Sequence, residues 1–544
     1  MFSLNLSAQN FYLKISSKNS IENKIIDSIN YKKTHVNAKS VLDETNFFAD
    51  KLSKYGFTDA NIDSQSKIND STFYYEFNLN KRTKFIHIYI GSNFLFKSLS
   101  LFENKIDTIK IPFENIENFM SANLKKLEEK GYALSKLKLI NFDKKSNIMR
   151  AELQLILDKK RVVNDVVING YDKFPEGYKS NIKKRYKNQV FNQDNLRKIN
   201  DDFNKIRFVK QTKYPEILFT TDSTKIYVFV EKAKTNTFDG FIGFSNDEKS
   251  KVNFNGYVDL ALNNALNIGE KIALYWKSDG KDQKTFNAGL ELPYIFKSPL
   301  GIKAQLNIFK QDSTFQNTKT AIDLGYFFNY NKKCYVGYQS TESNDIKNLN
   351  TTLISDFKNS FITGTFEYID FENDNNLFSE KTNFSLKVGT GNRNSKFENN
   401  RQFLATLLLN HHLYLNKKNA VGIKSQNYYL NSNSYIVNEL YRFGGINSIR
   451  GFNENSLQSN IFTSILTEYQ YILAPTIYVH TILDYGYYQD KSTNNSGKLL
   501  GLGFGFGLQT KNGIFNLVYA NGSTNEQAIK LSNSIIHISL KTNF

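Results

Sequence analysis

The sequence has a single cysteine and no long apolar run. Because Cys334 is alone, neither an internal disulfide nor a metal site with several cysteine ligands can form. No uncharged apolar run approaches the roughly 18 to 20 residues that a membrane-spanning helix requires, which argues against a helical membrane protein. A β-barrel remains compatible with the mean hydropathy of -0.46, because only alternate side chains of its strands face lipid.

The common catalytic and nucleotide-binding motifs are also missing. The chain contains no His-Glu-x-x-His, no Gly-x-x-x-x-Gly-Lys-Ser/Thr and no Gly-x-Ser-x-Gly. His411 and His412 are poor joint metal ligands, because neighbouring residues of a strand point to opposite faces. The glycines of segment 501–507 recur at every second position and never open a helix, unlike a nucleotide-binding loop. We therefore expect no enzymatic activity, no cofactor and no metal site.

The first part of the chain repeats one pattern three times. Each copy reads as a strand, a helical stretch and two strands, over about 70 to 80 residues. The third copy is the clearest, with an apolar strand at 162–168, a helix from Pro175 and a second helix from Asp194. The predicted repeats are 10–81, 82–159 and 160–232.

From residue 233 the chain has the pattern of a transmembrane barrel. Helical periodicity gives way to about sixteen alternating segments separated by polar clusters, with about twenty residues for each crossing and its connection. The most regular segment, 500–508, places large apolar residues on one face and glycine on the other. We predict a 16-stranded antiparallel barrel over 233–544. An even number of strands puts both barrel ends on the side that carries the repeats.

The two ends of the chain carry further signals. Residues 1–9 resemble the end of a signal peptide, with cleavage expected after Ala8. The last residues alternate as a barrel strand does, and we expect them to form a C-terminal strand signal. The residues on its apolar face are Ile536, Ile538, Leu540, Thr542 and Phe544.

Positive charge is concentrated in the repeats. Residues 1–232 hold 40 lysines and arginines against 27 acidic residues, whereas the remainder holds 30 against 25. The basic residues are densest at 159–161 and 183–185. These clusters suit anionic headgroups or acidic segments of another chain, and they equally suit a solvated face. Nucleic acid is disfavoured as a partner, because the basic runs lack a recognisable binding module.

The most informative motif lies in the second half of the barrel region. Segment 444–452 reads Gly-Gly-Ile-Asn-Ser-Ile-Arg-Gly-Phe, an arginine bracketed by glycines in a polar loop. It resembles the loop-six signature of BamA/TamA-type outer-membrane assembly proteins. Glu468 and the Asp-Tyr-Gly at 484–486 follow in the order of that family's twelfth and thirteenth strands. The three repeats are similar to its POTRA modules, whose element order is β-α-α-β-β.

The resemblance implies roles for individual residues. Arg450 would reach into the barrel lumen and pair with Asp484, with Glu468 close by, since a confined guanidinium needs acceptors. The alternative is that Arg450 decorates an exposed hairpin. The loop-six residues carried over are Gly444, Gly445, Ile449, Arg450, Gly451 and Phe452.

The resemblance also implies a location and a function. The barrel would lie in the outer membrane of a Gram-negative bacterium, with the repeats in the periplasm. The repeats would bind unfolded outer-membrane or secreted polypeptides by β-augmentation. The barrel would promote insertion at the seam between its first strand, near 238–246, and its last, near 535–544. Further partners would be outer-membrane lipids and periplasmic or inner-membrane accessory proteins.

Two alternatives stay open. A polypeptide transporter of the two-partner-secretion type shares the loop signature, although three repeats and the lack of a clear plug helix before Phe11 disfavour it. A passive porin or a surface adhesin would leave the repeats and the Arg450 motif without a purpose.

Overall fold

The computed structural model describes most of the chain. The described residues are 10–91, 94–102, 107–145, 147–246, 252–279, 283–371, 377–378, 380–510, 513–525, 529 and 534–543. Residues 1–9, the predicted signal-peptide remnant, lie outside it. Among the described residues, no helix has both the length and the apolar character needed to cross a membrane.

The described chain forms two compact units. One holds repeats 1 and 2 with short pieces of repeat 3, and the other holds most of repeat 3 with the barrel. Repeat 1 contains β1 (Phe11–Ser16), α1 (Ser20–Ile29), β2 (Thr34–His35), α2 (Ala38–Lys54), β3 (Asn61–Asn69) and β4 (Thr72–Asn78). Its sheet has the order β2-β1-β4-β3. Both helices bury an apolar stripe against this sheet, with Ile26, Phe48 and Phe77 in the core.

Repeat 2 has the same sheet topology. It contains β5 (Phe85–Tyr89), α3 (Phe94–Ser98), β6 (Thr108–Pro112), α4 (Ile116–Glu129), β7 (Lys136–Lys145) and β8 (Ile148–Ile156). The strand order is β6-β5-β8-β7, and β5 lies parallel to β8. Ile86, Ile88 and Leu127 are fully buried between this sheet and α4.

Repeat 3 follows the predicted element order. It contains β9 (Asp165–Asn169), α5 (Glu176–Tyr186), α6 (Gln193–Asn204), β10 (Val209–Phe219) and β11 (Thr224–Lys232), with the sheet order β10-β11-β9. Repeats 1 and 2 depart from β-α-α-β-β, because β2 and β6 each add a strand beside the first strand of the repeat. Each added strand hydrogen-bonds an edge that would otherwise be unpaired. Two residues of β2 are too few to show alternation in the sequence.

The rest of the chain closes into a 16-stranded antiparallel barrel. Its strands are β12 (Thr237–Asn246), β13 (Val252–Asn263), β14 (Lys271–Asp279), β15 (Gln283–Leu292), β16 (Leu300–Gln311), β17 (Phe315–Phe327), β18 (Lys332–Asp345), β19 (Phe357–Phe371), β20 (Glu380–Ser395), β21 (Asn399–Tyr414), β22 (Asn419–Asn431), β25 (Ile461–Ala474), β26 (Ile477–Asp490), β27 (Asn495–Gln509), β28 (Gly513–Thr524) and β29 (Ile535–Asn543). β23 (Tyr441–Phe443) and β24 (Leu457–Ser459) pair within a loop. The predicted fold, POTRA-like repeats before a 16-stranded barrel, is confirmed.

The strands separate an apolar outer face from a polar lumen. Along β17, Ile322 and Leu324 are 66% and 55% exposed, whereas Asp323 between them is buried. Opposite charges meet inside: the Lys333 amine lies 2.5 Å from the Glu291 carboxylate, and both side chains are nearly inaccessible to solvent. Large apolar side chains outside and ion pairs inside are the pattern of a barrel that crosses a membrane.

Barrel closure is weakest where the first strand meets the last. All ten residues of β12 pair with β13. On its other side β12 pairs with β29 at two positions among the described residues, Thr237 with Asn543 and Phe238 with Thr542. The Thr542 hydroxyl donates to the Phe238 carbonyl at 2.6 Å. We call this junction the seam.

Repeat 3 docks on the rim of the barrel at which the chain enters β12, here called the repeat-side rim. The Asn181 amide donates to the Ser298 carbonyl at 3.2 Å, and Arg185 donates to the Phe328 carbonyl at 3.2 Å. Tyr178 packs edge-on against Tyr294, and burial raises the pKa of Tyr178 well above its ordinary value. Helix α5 is thereby fastened to the turns after β15 and β17.

Candidate functional site

The candidate site is the long loop that joins β22 to β25, the eleventh and twelfth barrel strands. It spans 432–460, leaves the barrel at the rim opposite the repeat-side rim and contains the motif 444–452. The loop touches strands on several sides of the barrel, from β14 to β28. A loop with such partners lies across the lumen. We call it loop six.

Arg450 is held by two carboxylates from neighbouring strands. Its Nε and Nη2 donate to the two oxygens of Asp484 at 2.8 and 2.5 Å, and its backbone nitrogen donates to the same carboxylate at 2.9 Å. Its Nη1 donates to Glu468 on β25. Arg450 is 6% exposed and Asp484 is fully buried. A fork-shaped guanidinium on a carboxylate is a strong and directional contact, so this arrangement orients the loop.

Further polar groups hold Glu468 in place. Its second carboxylate oxygen accepts a hydrogen bond from Gln470 at 3.0 Å. His480 on β26 brings its ring nitrogen to 3.6 Å from the same oxygen. Residues of the barrel wall therefore help to position the carboxylate that contacts the arginine.

A row of small residues on the wall receives the loop backbone. Asp484, Gly501 and Gly522 pair in register across β26, β27 and β28. A Cβ on Gly501 would lie 2.4 Å from the Arg450 carbonyl, and a Cβ on Gly522 would lie 2.4 Å from the Gly451 carbonyl. Glycine on the wall therefore permits a backbone approach that no other residue allows. Gly501 belongs to the segment 500–508, in which glycine occupies the face opposite the large apolar residues.

The apolar residues of the motif pack beside the arginine. Ile449 is fully buried in a cluster with Phe443, Phe462 and Leu499, and Phe452 packs against the same cluster. A Cβ on Gly486 would lie 3.1 Å from the Ile449 side chain. The motif thus combines an ion pair with apolar packing. The sequence predicted no role for Gly522, because its position opposite Gly501 depends on the register of β27 and β28.

The two glycines at the start of the motif shape the turn. Gly444 and Gly445 have φ of 106° and 96°, in the region that residues with a side chain rarely adopt. After this turn the Asn447 carbonyl accepts hydrogen bonds from Lys424 at 2.5 Å and Gln426 at 2.8 Å, both on β22. The backbone turns here to bring Arg450 to the wall.

A second anchor holds the first part of loop six. Arg393 on β20 pairs with Glu439, and both side chains are almost completely buried. Glu439 also accepts from Gln402 on β21 at 2.8 Å. The next residue back, Asn438, donates to Ser343 at 2.7 Å. No sequence signal joined Arg393 to Glu439, because they are 46 residues apart and neither belongs to the motif.

A third anchor reaches the opposite wall. Glu454 pairs with Lys277 on β14 and accepts from the Tyr275 hydroxyl at 3.2 Å. These partners are separated by more than 170 residues of sequence. Together the three anchors tie loop six to both sides of the lumen, so the barrel interior is occupied rather than open.

The remaining predicted positions have separate outcomes. Ile536 on β29 is 63% exposed, as expected for a lipid-facing residue. The backbones of Ile538 and Leu540 lie on β29, their side chains are outside the described part of the structure, and so is Phe544. His411 and His412 bond separately, to Thr382 and to the Glu380 carbonyl. Among the described residues no group of three or more potential ligands could hold a metal.

Comparison with known proteins indicates the fold. No family model matches the chain, and no curated protein does. CdiB from Escherichia coli superposes with a TM-score of 0.52 at 12% identity, over 96% of this chain and 98% of that one. CdiB from Acinetobacter baumannii gives 0.52 at 13% identity, over 83% and 86%. BamA from Haemophilus ducreyi lacking POTRA domains 1–3 gives 0.48 at 14%, over 84% and 99%.

The two CdiB likenesses cover both the repeats and the barrel. At such low identity they establish architecture rather than activity. This architecture is consistent with the resemblance of the loop-six motif. The chain therefore has the fold of the two CdiB proteins, which is the fold that the loop-six resemblance implies.

Proposed function

We propose that the protein lies in the outer membrane of a Gram-negative bacterium and inserts or translocates other polypeptides there. Its repeats would lie in the periplasm and bind unfolded clients, and its barrel would promote client insertion at the seam. The observation that carries this proposal is the sparse pairing at the seam. Two positions pair between β12 and β29 among the described residues, whereas ten positions pair between β12 and β13.

A sparse seam leaves backbone groups of two strands available to a third. Within a membrane an unpaired N–H or C=O costs several kcal/mol, because lipid offers no hydrogen-bond partner. A client strand that adds to β12 or β29 would satisfy those groups and its own at once. Insertion would then be driven by strand pairing, with no nucleotide or cofactor required.

The repeats offer the kind of edge that an extended chain can pair with. β3, β7 and β10 each lie at one end of the sheet of their repeat. β3 is exposed along its whole length. Register irregularities in β3 and β7, and Pro215 in β10, interrupt these edges and limit the length of a paired client segment. Such short, sequence-tolerant pairing suits transient binding of many clients.

Loop six supports the same proposal. An occupied lumen is a poor route for free diffusion and so disfavours a passive porin. Ion pairs tie loop six to β14, β20, β25 and β26, so the loop also braces the barrel wall away from the seam. The seam would then open without loss of the remaining barrel.

A reversible disulfide bond across the seam tests the proposal. Phe238→Cys and Thr542→Cys, in a Cys334→Ser background, place two thiols at a paired position of β12 and β29. The full-length protein is reconstituted into liposomes, and the folding rate of an unfolded small β-barrel client is followed by protease resistance. We expect the oxidised variant to lose the acceleration over empty vesicles and to regain it on reduction.

The matched control is a disulfide bond within a fully paired hairpin. Leu290→Cys and Ala304→Cys join paired residues of β15 and β16, away from the seam. This variant should accelerate client folding equally in its oxidised and reduced forms. Full acceleration by the oxidised seam variant would contradict insertion at the seam.

The second candidate function is export of a dedicated passenger through the barrel. The CdiB likeness favours it, because the architecture is shared over most of both chains. This candidate needs loop six to leave the lumen, whereas the first does not. The same liposomes distinguish the two: no client acceleration, together with passage of a polypeptide into the vesicles, would favour export. We propose no enzymatic activity for either case.

A further inference from the structure

An apolar pocket lies at the repeat-side rim, where repeat 3 meets the barrel. Its volume is about 720 Å³, within the range of small-molecule sites. One wall comes from repeat 3, with Phe174 and Gly177. The other comes from the end of β15 and the turn after it, with Leu292, Tyr294 and Ile295. None of these residues takes part in the loop-six site.

The floor of this pocket belongs to the outer face of the barrel. Ile302 on β16 lines the pocket and is 38% exposed. It pairs across the sheet with Leu324, which is 55% exposed on the outer face of β17. Paired residues of neighbouring strands face the same side of a sheet, so Ile302 faces outward. The pocket is therefore continuous with the surface that contacts lipid.

The turn beside the pocket presents an aromatic side chain outward. Phe296 is 94% exposed, more than any other large hydrophobic residue in the described part of the chain. Tyr294, Phe296 and Lys297 have φ between 53° and 56°, a conformation that residues with a side chain disfavour. The Lys184 amine holds the turn through the Lys297 carbonyl at 3.0 Å. An exposed aromatic is favourable where it can sit at a membrane surface.

Charges of both signs surround the pocket. Lys173 and Lys297 supply ammonium groups, while Asp172 and Glu176 supply carboxylates, and all four side chains are exposed. A headgroup with both an ammonium and a phosphate matches this set. Glu176 is paired with Lys179 at 3.0 Å, so the carboxylate that a purely anionic headgroup would meet is that of Asp172, and repulsion would oppose its binding.

We propose that this pocket binds a phospholipid of the phosphatidylethanolamine type from the adjoining leaflet. Its acyl chain lies against Ile302 and the apolar wall, and its headgroup lies between Lys297 and the Asp172–Lys173 pair. Phe296 inserts beside it. The inference rests on the proposed membrane location, and it adds a lipid site that fixes repeat 3 at the membrane surface.

Tryptophan quenching by brominated lipids tests the site in the full-length protein. Trp276 is the only tryptophan. Its neighbours Tyr275 and Lys277 both contact Glu454 in the lumen, so Trp276 faces lipid. Trp276→Phe combined with Phe296→Trp moves the single indole to the turn. We expect vesicles with brominated acyl chains to quench this indole, more strongly for phosphatidylethanolamine than for phosphatidylcholine or phosphatidylglycerol.

Two variants serve as controls. Lys417→Trp in the same Trp276→Phe background places the indole in an exposed polar turn on the same rim, and its quenching should be weaker. Asp172→Asn with Lys173→Gln, added to the Phe296→Trp protein, should abolish the headgroup preference. Trp276 of the unaltered protein reports insertion of the barrel independently.

The outcomes separate the lipid site from the proposed function. Equal quenching at positions 296 and 417, or the same quenching for all three headgroups, overturns the lipid site while leaving barrel insertion supported. An indole at position 296 that lipid does not quench, but whose emission shifts when an unfolded client is added, assigns the pocket to the client and also overturns it. Failure to quench Trp276 in the unaltered protein would contradict the membrane location itself.

Discussion

Arg450 and Asp484 are joined by three hydrogen bonds, two from the guanidinium and one from the arginine backbone nitrogen. The backbone bond is significant, because it ties the course of the loop to the carboxylate as well as the side chain. Asp484 thus specifies both where loop six lies and how it turns. The conformation of loop six therefore depends on a residue of the barrel wall.

Removing Arg450 should release loop six while the barrel stays folded. Arg450→Ala leaves Asp484 buried without its main partner, a change that typically costs about 3 to 5 kcal/mol. Arg450→Lys should also lose most function, because an ammonium cannot form the two parallel bonds. Client folding in liposomes measures function, and heat-dependent gel mobility measures barrel folding. Full activity of either variant would contradict the role assigned to this pair.

Gly501 should tolerate no side chain. In Gly501→Ala the new Cβ would lie 2.4 Å from the Arg450 carbonyl, so the loop backbone has to move. Crowding of this kind typically costs about 1 to 3 kcal/mol. The matched control is Gly364→Ala, whose Cβ would meet only the Val388 side chain at 4.0 Å. We expect greater protease cleavage within loop six for Gly501→Ala and none beyond wild type for Gly364→Ala; equal cleavage would count against the close approach.

The buried pair of Arg393 and Glu439 should respond more to single than to double substitution. Arg393→Met or Glu439→Leu alone strands a buried charge, at about 3 to 5 kcal/mol, whereas the double apolar variant removes both charges together. The thermal unfolding temperature in detergent is the measurement. Lys358→Met is the control, since its ion pair with Glu342 is exposed and should contribute almost nothing. A double variant as unstable as the sum of the singles would rule out coupling.

Docking of repeat 3 should depend on Gly177. A Cβ at this position of α5 would lie 2.9 Å from both the Tyr294 Cβ and the Tyr294 carbonyl, so Gly177→Val should push the helix away from the turn. Hydrogen exchange of the turn 293–299 should then quicken. Lys179→Ala, on the same helix, removes only the partly exposed ion pair with Glu176 and should leave exchange unchanged. Unchanged exchange in Gly177→Val would show that the contact does not hold the two together.

Much of the architecture was predictable from the sequence. A period of two in hydrophobicity appears only if a strand has one apolar and one polar surface, and sixteen such segments have to close to satisfy their edges. The loop-six motif carried local information as well, since glycines at 444, 445 and 451 mark a backbone that other residues cannot follow. The helices of repeat 3 were predictable from the spacing of their apolar residues. The added strands β2 and β6 were not, because no comparable pattern marks them in the sequence.

The pairings that hold the site came only from the tertiary structure. Arg393 with Glu439, Lys277 with Glu454, and the row of Asp484, Gly501 and Gly522 each join residues of separate strands. The alternation of apolar and polar residues predicts which face of the sheet a residue occupies. It does not predict which residue of a neighbouring strand lies opposite. That choice depends on the register of every intervening strand and on closure of the barrel, which also determines how few positions pair at the seam.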